Sequence, residues 1–286
     1  MSTTDAPTAE NLHVEGLTTR FTYRRRGPRG GVPLVLLHRF RATVDWWDPE
    51  FIEALAEERD VISFDNIGIG YTEGQPLTSV QEFAAGAAEF IEALGLGKVD
   101  ILGWSFGGLV AQALTLTRPD LVRRLVVAGS GSGAAPGTPR MTEKVLGIMA
   151  SPGSGNNRED MMYLFYPDTP EARALGDKHF DAVAAAMPKD APVVSEAAAM
   201  GQLKAIGGAQ ATPWEQVAAN LATIKQPVLY ANGMQDVMVH AHASFAAVQH
   251  LPAAKLVLYS DAGHAFLFQH TAEFTTDVKD FLAQGD

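Results

Sequence analysis

Short apolar runs recur along the chain at residues 32–38, 61–65, 99–104, 125–128, 228–231 and 255–259, each bounded by Gly, Asp or Asn. They lack the alternation of a strand with one wet face, so they predict strands buried on both sides. A better alternating run at 17–26 predicts an edge strand, and 27–31 reads as the turn after it. Between these runs the period changes to that of a helix. Asp48 and Pro49 form an N-cap and first-turn pair that opens a helix through Leu55. Ser79 with Glu82 is a capping box, after which Val80, Phe83, Ala84, Ala87, Phe90, Ile91 and Leu94 keep helical spacing until Gly95. A third helix is predicted over 106–117, ending before Pro119, and the C-terminal stretch sets Phe274, Val278, Phe281 and Leu282 on one face. Strand and helix in alternation require crossover connections, so the fold class is α/β: a mostly parallel sheet with helices on both sides.

Strand signals vanish between about residues 134 and 213, where Ala, Met and Pro dominate, and resume at 228. The stretch is expected to be a helical cap inserted before the last two core strands. The domains are then core residues 1–133, cap 134–213 and core 214–286. Six of the nine methionines fall in the cap, at 141, 149, 161, 162, 187 and 200. Thioethers adapt to irregular apolar ligands, although the plainer expectation is that they pack cap against core. Gly153, Ser154, Gly155 and Asn156 suggest a mobile loop within it.

Composition narrows the chemistry. The chain has no cysteine, which removes disulfides, thiolate metal sites and thiol nucleophiles. A formal charge of -11 argues against a nucleic-acid partner. No apolar run reaches the length of a membrane span, and residues 1–10 have neither a basic start nor an apolar core, so a cytoplasmic protein without a membrane partner is expected.

Gly103-Trp104-Ser105-Phe106-Gly107 is a G-x-S-x-G string. A random chain of this composition would contain one about one time in ten, so its setting must decide. It follows a buried strand and precedes a helix, the context in which a strained turn lifts a serine hydroxyl above the sheet and aims a helix N-terminus at an oxyanion. Serine is a poor nucleophile at neutral pH and needs a base, and the base needs an orienting group. Of eight histidines only His264 follows the last predicted strand directly. The acid chosen is Asp236, in Asn232-Gly233-Met234-Gln235-Asp236 after the strand at 228–231; the strand at 125–128 ends in Gly129 and Ser130 and offers no carboxylate. Asp261 sits too near His264 in sequence to reach back across the ring, and Asp65 is expected to hold its own loop.

With these residues in place the chain resembles the α/β-hydrolase family, specifically its cap-bearing bacterial esterases, lactonases, carbon–carbon bond hydrolases and cofactor-free haloperoxidases. The resemblance runs from about Leu34 to Leu282 and rests on His38 with Phe40, the turn from Asp65 to Gly70, Gly103 to Gly107, Asp236 and Gly263-His264. It implies that the backbone N–H groups of Phe106 and Phe40 form the oxyanion hole and that no metal or organic cofactor is needed. A serine nucleophile argues against dehalogenase and epoxide hydrolase chemistry, whose relatives use a carboxylate. In one departure, the family usually has Gly after the His of the oxyanion loop, whereas here the order is His38-Arg39-Phe40-Arg41. Arg39, or less readily Arg41, would then meet an anionic or carbonyl-rich substrate; the favoured, plainer reading pairs both with Asp45 or Asp65 at the surface.

Three other features carry less. The string from Gly129 to Ala134 fits a dinucleotide loop, but no helix opens after it, and a hinge into the cap explains its glycines better. His240 and His242 are an incomplete metal pattern. Trp46 is a candidate pocket wall and Trp47 a helix-packing residue, while Trp104 is a candidate substrate contact. The sequence therefore predicts a serine hydrolase of a small, largely apolar ester or lactone. Carbon–carbon hydrolysis or perhydrolysis by the same triad, and a ligand-binding receptor on a hydrolase scaffold, are the alternatives.

Overall fold

The computed structural model describes residues 10–152 and 157–284. The loop expected at 153–156 and most of the polar start lie outside the described residues. The strands are β1 (Leu12–Glu15), β2 (Arg20–Arg26), β3 (Leu34–Leu37), β4 (Val61–Phe64), β5 (Val99–Trp104), β6 (Val122–Ala128), β7 (Val228–Gly233) and β8 (Ala254–Tyr259). They form one sheet in the order β1-β2-β4-β3-β5-β6-β7-β8, antiparallel across β1, β2 and β4 and parallel from β4 to β8. Strands β3, β4, β5 and β7 are buried at every residue, which explains their unbroken apolar runs.

Two strand readings need correction. The strand expected over 17–26 starts only at Arg20, because Gly16 N–H donates to Thr19 O at 2.8 Å and closes a turn that leaves Leu17 exposed. It is also not an edge: β1 covers it. The strand at 255–259 was expected to be buried on both faces, yet β8 is the last strand and is exposed or half-buried throughout.

The helices follow the predicted caps closely. The Asp48 carboxylate accepts from Glu50 and Phe51 N–H to open α1 (Pro49–Ala56), and Ser79 and Glu82 close a reciprocal capping box on α2 (Val80–Ala93). Helix α3 (Phe106–Thr117) packs against α2. Between β6 and β7 the chain forms α4 (Glu143–Ala150), α5 (Arg158–Phe165), α6 (Pro170–Ala186), α7 (Glu196–Ala211) and α8 (Trp214–Leu221). Then come α9 (Ala241–Val248), α10 (Phe266–Gln269) and α11 (Thr271–Ala283), the last packed against α1 through Phe274, which stacks on Phe51. Among the described residues no helix is long and apolar enough to cross a membrane.

Near the start of β5, the strand that delivers Ser105, Asp100 is buried. Arg123 binds it through Nε at 2.9 Å and Nη2 at 2.7 Å, and Arg59 Nη1 donates at 3.0 Å. Removing the carboxylate leaves two mostly buried guanidinium groups without it. Asp100→Ala should therefore lower stability by about 3 kcal/mol, measured by chemical denaturation.

Candidate active site

The residues singled out in the sequence converge at the C-terminal ends of β5, β7 and β8. Ser105 sits between β5 and α3 with φ 56 and ψ -117, a left-handed conformation that a side chain rarely adopts. The turn is this sharp because its neighbours lack side chains. A Cβ on Gly103 would lie 2.2 Å from Gly107 O, and one on Gly107 would lie 2.1 Å from Leu37 O at the end of β3. Ser105 N–H donates to Ala128 O at 2.8 Å, tying the elbow to β6.

His264, in the loop after β8, is fully buried. Its Nδ1 donates to Asp236 Oδ2 at 2.7 Å. The other oxygen of Asp236 accepts from Met238 and Val239 N–H, both at 2.8 Å, so the carboxylate cannot swing. With its proton on Nδ1, the ring presents Nε2 as an acceptor, buried and without a hydrogen-bond partner among the described residues. Ser105 Oγ is not among its partners, a separation common before substrate binds. Both residues line one cavity of 30 Å³, together with Arg39, Phe40, Met161 and Phe165. A second cavity of 620 Å³ shares Ser105, Phe40, Met149 and Met238 with the first and extends along the chain from Ser130 to Met141, between Leu146 and Ile206.

The loop after β3 contains the departure noted in the sequence. Left-handed backbone falls on Arg41, at φ 57, rather than on Arg39 where the family's glycine usually stands. The N–H groups of Phe40 and Phe106, at the loop and at the first turn of α3, make no hydrogen bond among the described residues. Neither arginine pairs with Asp45 or Asp65, which corrects the surface reading. Asp45 is held by Arg24, and Asp65 accepts from Val44 and Tyr71 N–H at 2.8 and 2.9 Å. Arg41 instead reaches the inserted helices: its N–H donates to Gln202 Oε1 at 3.1 Å, its Nη1 to Ser151 O at 3.0 Å, and Glu196 lies 3.7 Å from Nη2. Arg39 is buried in the cavity wall.

A sequence profile of the alpha/beta hydrolase fold matches residues 32–271. The chain belongs to the α/β-hydrolase family. Over 237 residues it is 29% identical to a 2-hydroxymuconate semialdehyde hydrolase of Pseudomonas putida, covering 81% of this chain and 79% of that one. It is 30% identical over 236 residues to the polyketide synthase ThaQ of Burkholderia thailandensis, a match that spans 82% of this chain but 11% of that protein. Among solved structures, an alpha/beta hydrolase fold protein from Chitinophaga pinensis superposes with a TM-score of 0.85 at 28% identity, over 97% of this chain and 98% of that one.

Trp104, expected at the substrate, is part of the hydrolase core: it lines neither cavity, and its Nε1 donates to His264 O at 3.2 Å, so it holds the histidine loop from below. Trp46 lies 4.9 Å from the Arg39 guanidinium, while Trp47 stacks on Phe51. Asp261 pairs with His270 at 2.9 Å and not with His264. His240 and His242 turn to a local N–H and to Thr138 Oγ1. The sequence reading missed a further buried His–Asp contact: His179 of α6 stacks on Phe268, and its Nδ1 meets the free oxygen of Asp48 at 2.7 Å. The capping role of Asp48 was legible locally, but its partner, 131 residues away, carried no local signal.

Burial pushes His38, on the oxyanion loop, from its ordinary 6.5 down to about 3. Between those values the unfolded chain takes up a proton that the folded chain refuses, so stability falls as pH is lowered from about 6.5 toward 3. Denaturation midpoints at pH 7 and pH 4.5 should diverge more for the native chain than for His38→Asn; equal pH dependence would contradict this.

Proposed function

We propose that this α/β-hydrolase is a serine hydrolase that cleaves a small-molecule carboxylic ester or lactone through an acyl-enzyme on Ser105. The observation that carries the reading is the pairing of an Asp236-anchored His264, its Nε2 open to a cavity, with a serine held on a strained elbow in the same wall. In the proposed reaction His264 Nε2 takes the Ser105 proton as Oγ attacks the carbonyl. Asp236 keeps the imidazole in the productive tautomer and stabilises the imidazolium that forms. The Phe40 and Phe106 N–H groups receive the oxyanion, helped by the positive end of α3. Collapse releases the alcohol with a proton from His264, and the same base then activates water to free the acid. Residues 134–213 serve as a cap, a role supported by Met161, Leu164 and Phe165 in the cavity wall and by Ala265 N–H donating to Phe165 O at 3.0 Å. The mainly apolar lining of the larger cavity, in which Arg140, Gln210 and His240 are the exceptions beside small hydroxyls, supports a largely apolar substrate.

A second reading keeps the three residues and breaks a carbon–carbon bond beside a carbonyl. It is favoured by the similarity to a relative named for a semialdehyde rather than an ester.

A fluorophosphonate should add one mass equivalent, mapped to Ser105, and p-nitrophenyl esters should be hydrolysed. Ser105→Ala should abolish labelling and lower kcat by at least about 10⁴-fold. Unlabelled native protein, or a fully active Ser105→Ala, would refute the mechanism.

A further inference from the structure

Arg39 is a buried guanidinium with no acid beside it among the described residues. Its Nη1 donates to Phe40 O at 2.8 Å, its Nη2 reaches Met161 Sδ at 3.9 Å, and its Nε has no partner among the described residues. The rings of Trp46, Phe165 and Trp104 stand 4.9, 5.0 and 5.7 Å from its central carbon. Three other arginines of the fold have carboxylates: Arg25 has Asp60, and Arg59 and Arg123 share Asp100. Burial pushes Arg39 down to about 9, with no carboxylate opposing the shift. Aromatic faces offset only part of the cost of such a charge, so an arriving anion would gain more here than at the surface.

The placement of the two cavities adds direction. Ser105 borders both, but His264 borders only the 30 Å³ chamber that contains Arg39. The fragment released first must collect its proton from His264 Nε2, so it belongs in that chamber, and the acyl chain belongs in the 620 Å³ cavity. So small a chamber suits a fragment with its carboxylate close to the ester oxygen. Arg41 borders the same chamber but directs its side chain to Ser151 and Glu196.

We propose that Arg39 anchors a carboxylate on the leaving group, so that the substrate is an ester of a short hydroxy acid with a bulky apolar acyl chain. This rests on the serine-hydrolase reading above. The Ser105 Oγ–acyl bond forms, the acyl–oxygen bond of the hydroxy acid breaks, and its alkoxide oxygen takes the proton that His264 removed from Ser105. The hydroxy acid leaves as its carboxylate, and water completes the cycle.

Three matched esters test it: hexanoyloxyacetate, neutral propyl hexanoate, and monopropyl adipate, which moves the charge to the acyl chain. The native enzyme should favour hexanoyloxyacetate over propyl hexanoate in kcat/KM, and Arg39→Met should cut that ratio at least about 10-fold, with Arg39→Lys restoring part of it. Because hydroxyacetate is intrinsically the better leaving group, the change in ratio between enzymes is the readout. A ratio unchanged in Arg39→Met overturns the anchor, and a preference for monopropyl adipate overturns its placement. Calorimetric binding of hexanoyloxyacetate to Ser105→Ala, and its loss in Ser105→Ala/Arg39→Met, tests the anchor without turnover; equal binding by both refutes it. Failure of fluorophosphonate labelling refutes the serine mechanism alone.

Discussion

The approach of the first turn of α3 to the end of β3 constrains everything above the sheet. With Gly107 in van der Waals reach of the Leu37 and His38 carbonyls, the nucleophile elbow and the oxyanion loop are locked to each other. That contact holds the start of α3, and Ser105 joins β5 to the helix at a positive φ. The strain at Ser105 persists because β5 lies between β3 and β6 and the elbow's own N–H is bonded to β6. The cavities on either side of the serine therefore inherit their positions from backbone packing rather than from the side chains that line them.

Polar contacts that join the inserted helices to the core include Asp48 with His179, Lys178 with Glu50, Arg41 with Gln202 and Ser151, and Phe165 O with Ala265 N–H. Such bonds depend on direction and distance, so they specify one docked arrangement more sharply than apolar packing alone. Two of them start from residues next to the site, Arg41 beside Phe40 and Ala265 beside His264. Displacement of the inserted helices would thus be felt directly at the groups proposed to bind the oxyanion and to move the proton.

Charge works on two scales here. The chain as a whole is acidic, at -11, and its outer surface repels anions. Inside, low polarisability and the absence of a paired acid among the described residues leave Arg39 as a local positive centre whose field is little screened. A buried charge on this scale outweighs a diffuse surface potential within the few ångströms that matter for substrate orientation.

Much of this was legible in the chain. Fully buried strands such as 61–64 and 99–104 announce themselves as unbroken apolar runs, and caps such as Ser79 with Glu82 are local bonding patterns. Ser105, Asp236 and His264 could be chosen because each follows a strand end, and a parallel sheet gathers its strand ends along one edge. The edge character of β8 and the cover that β1 provides to β2 were not legible, because strand order depends on which distant segments pair. The same holds for the arginines. Sequence proximity favoured Asp45 and Asp65 as their partners, yet Arg24 and two backbone N–H groups had already engaged those acids. Local pattern determined the elements and the order of the candidate triad. Only the tertiary structure decided that Arg39 is buried without a counter-ion among the described residues and that His264 opens into one chamber and not the other, because burial and adjacency are properties of packed surfaces far apart in the chain.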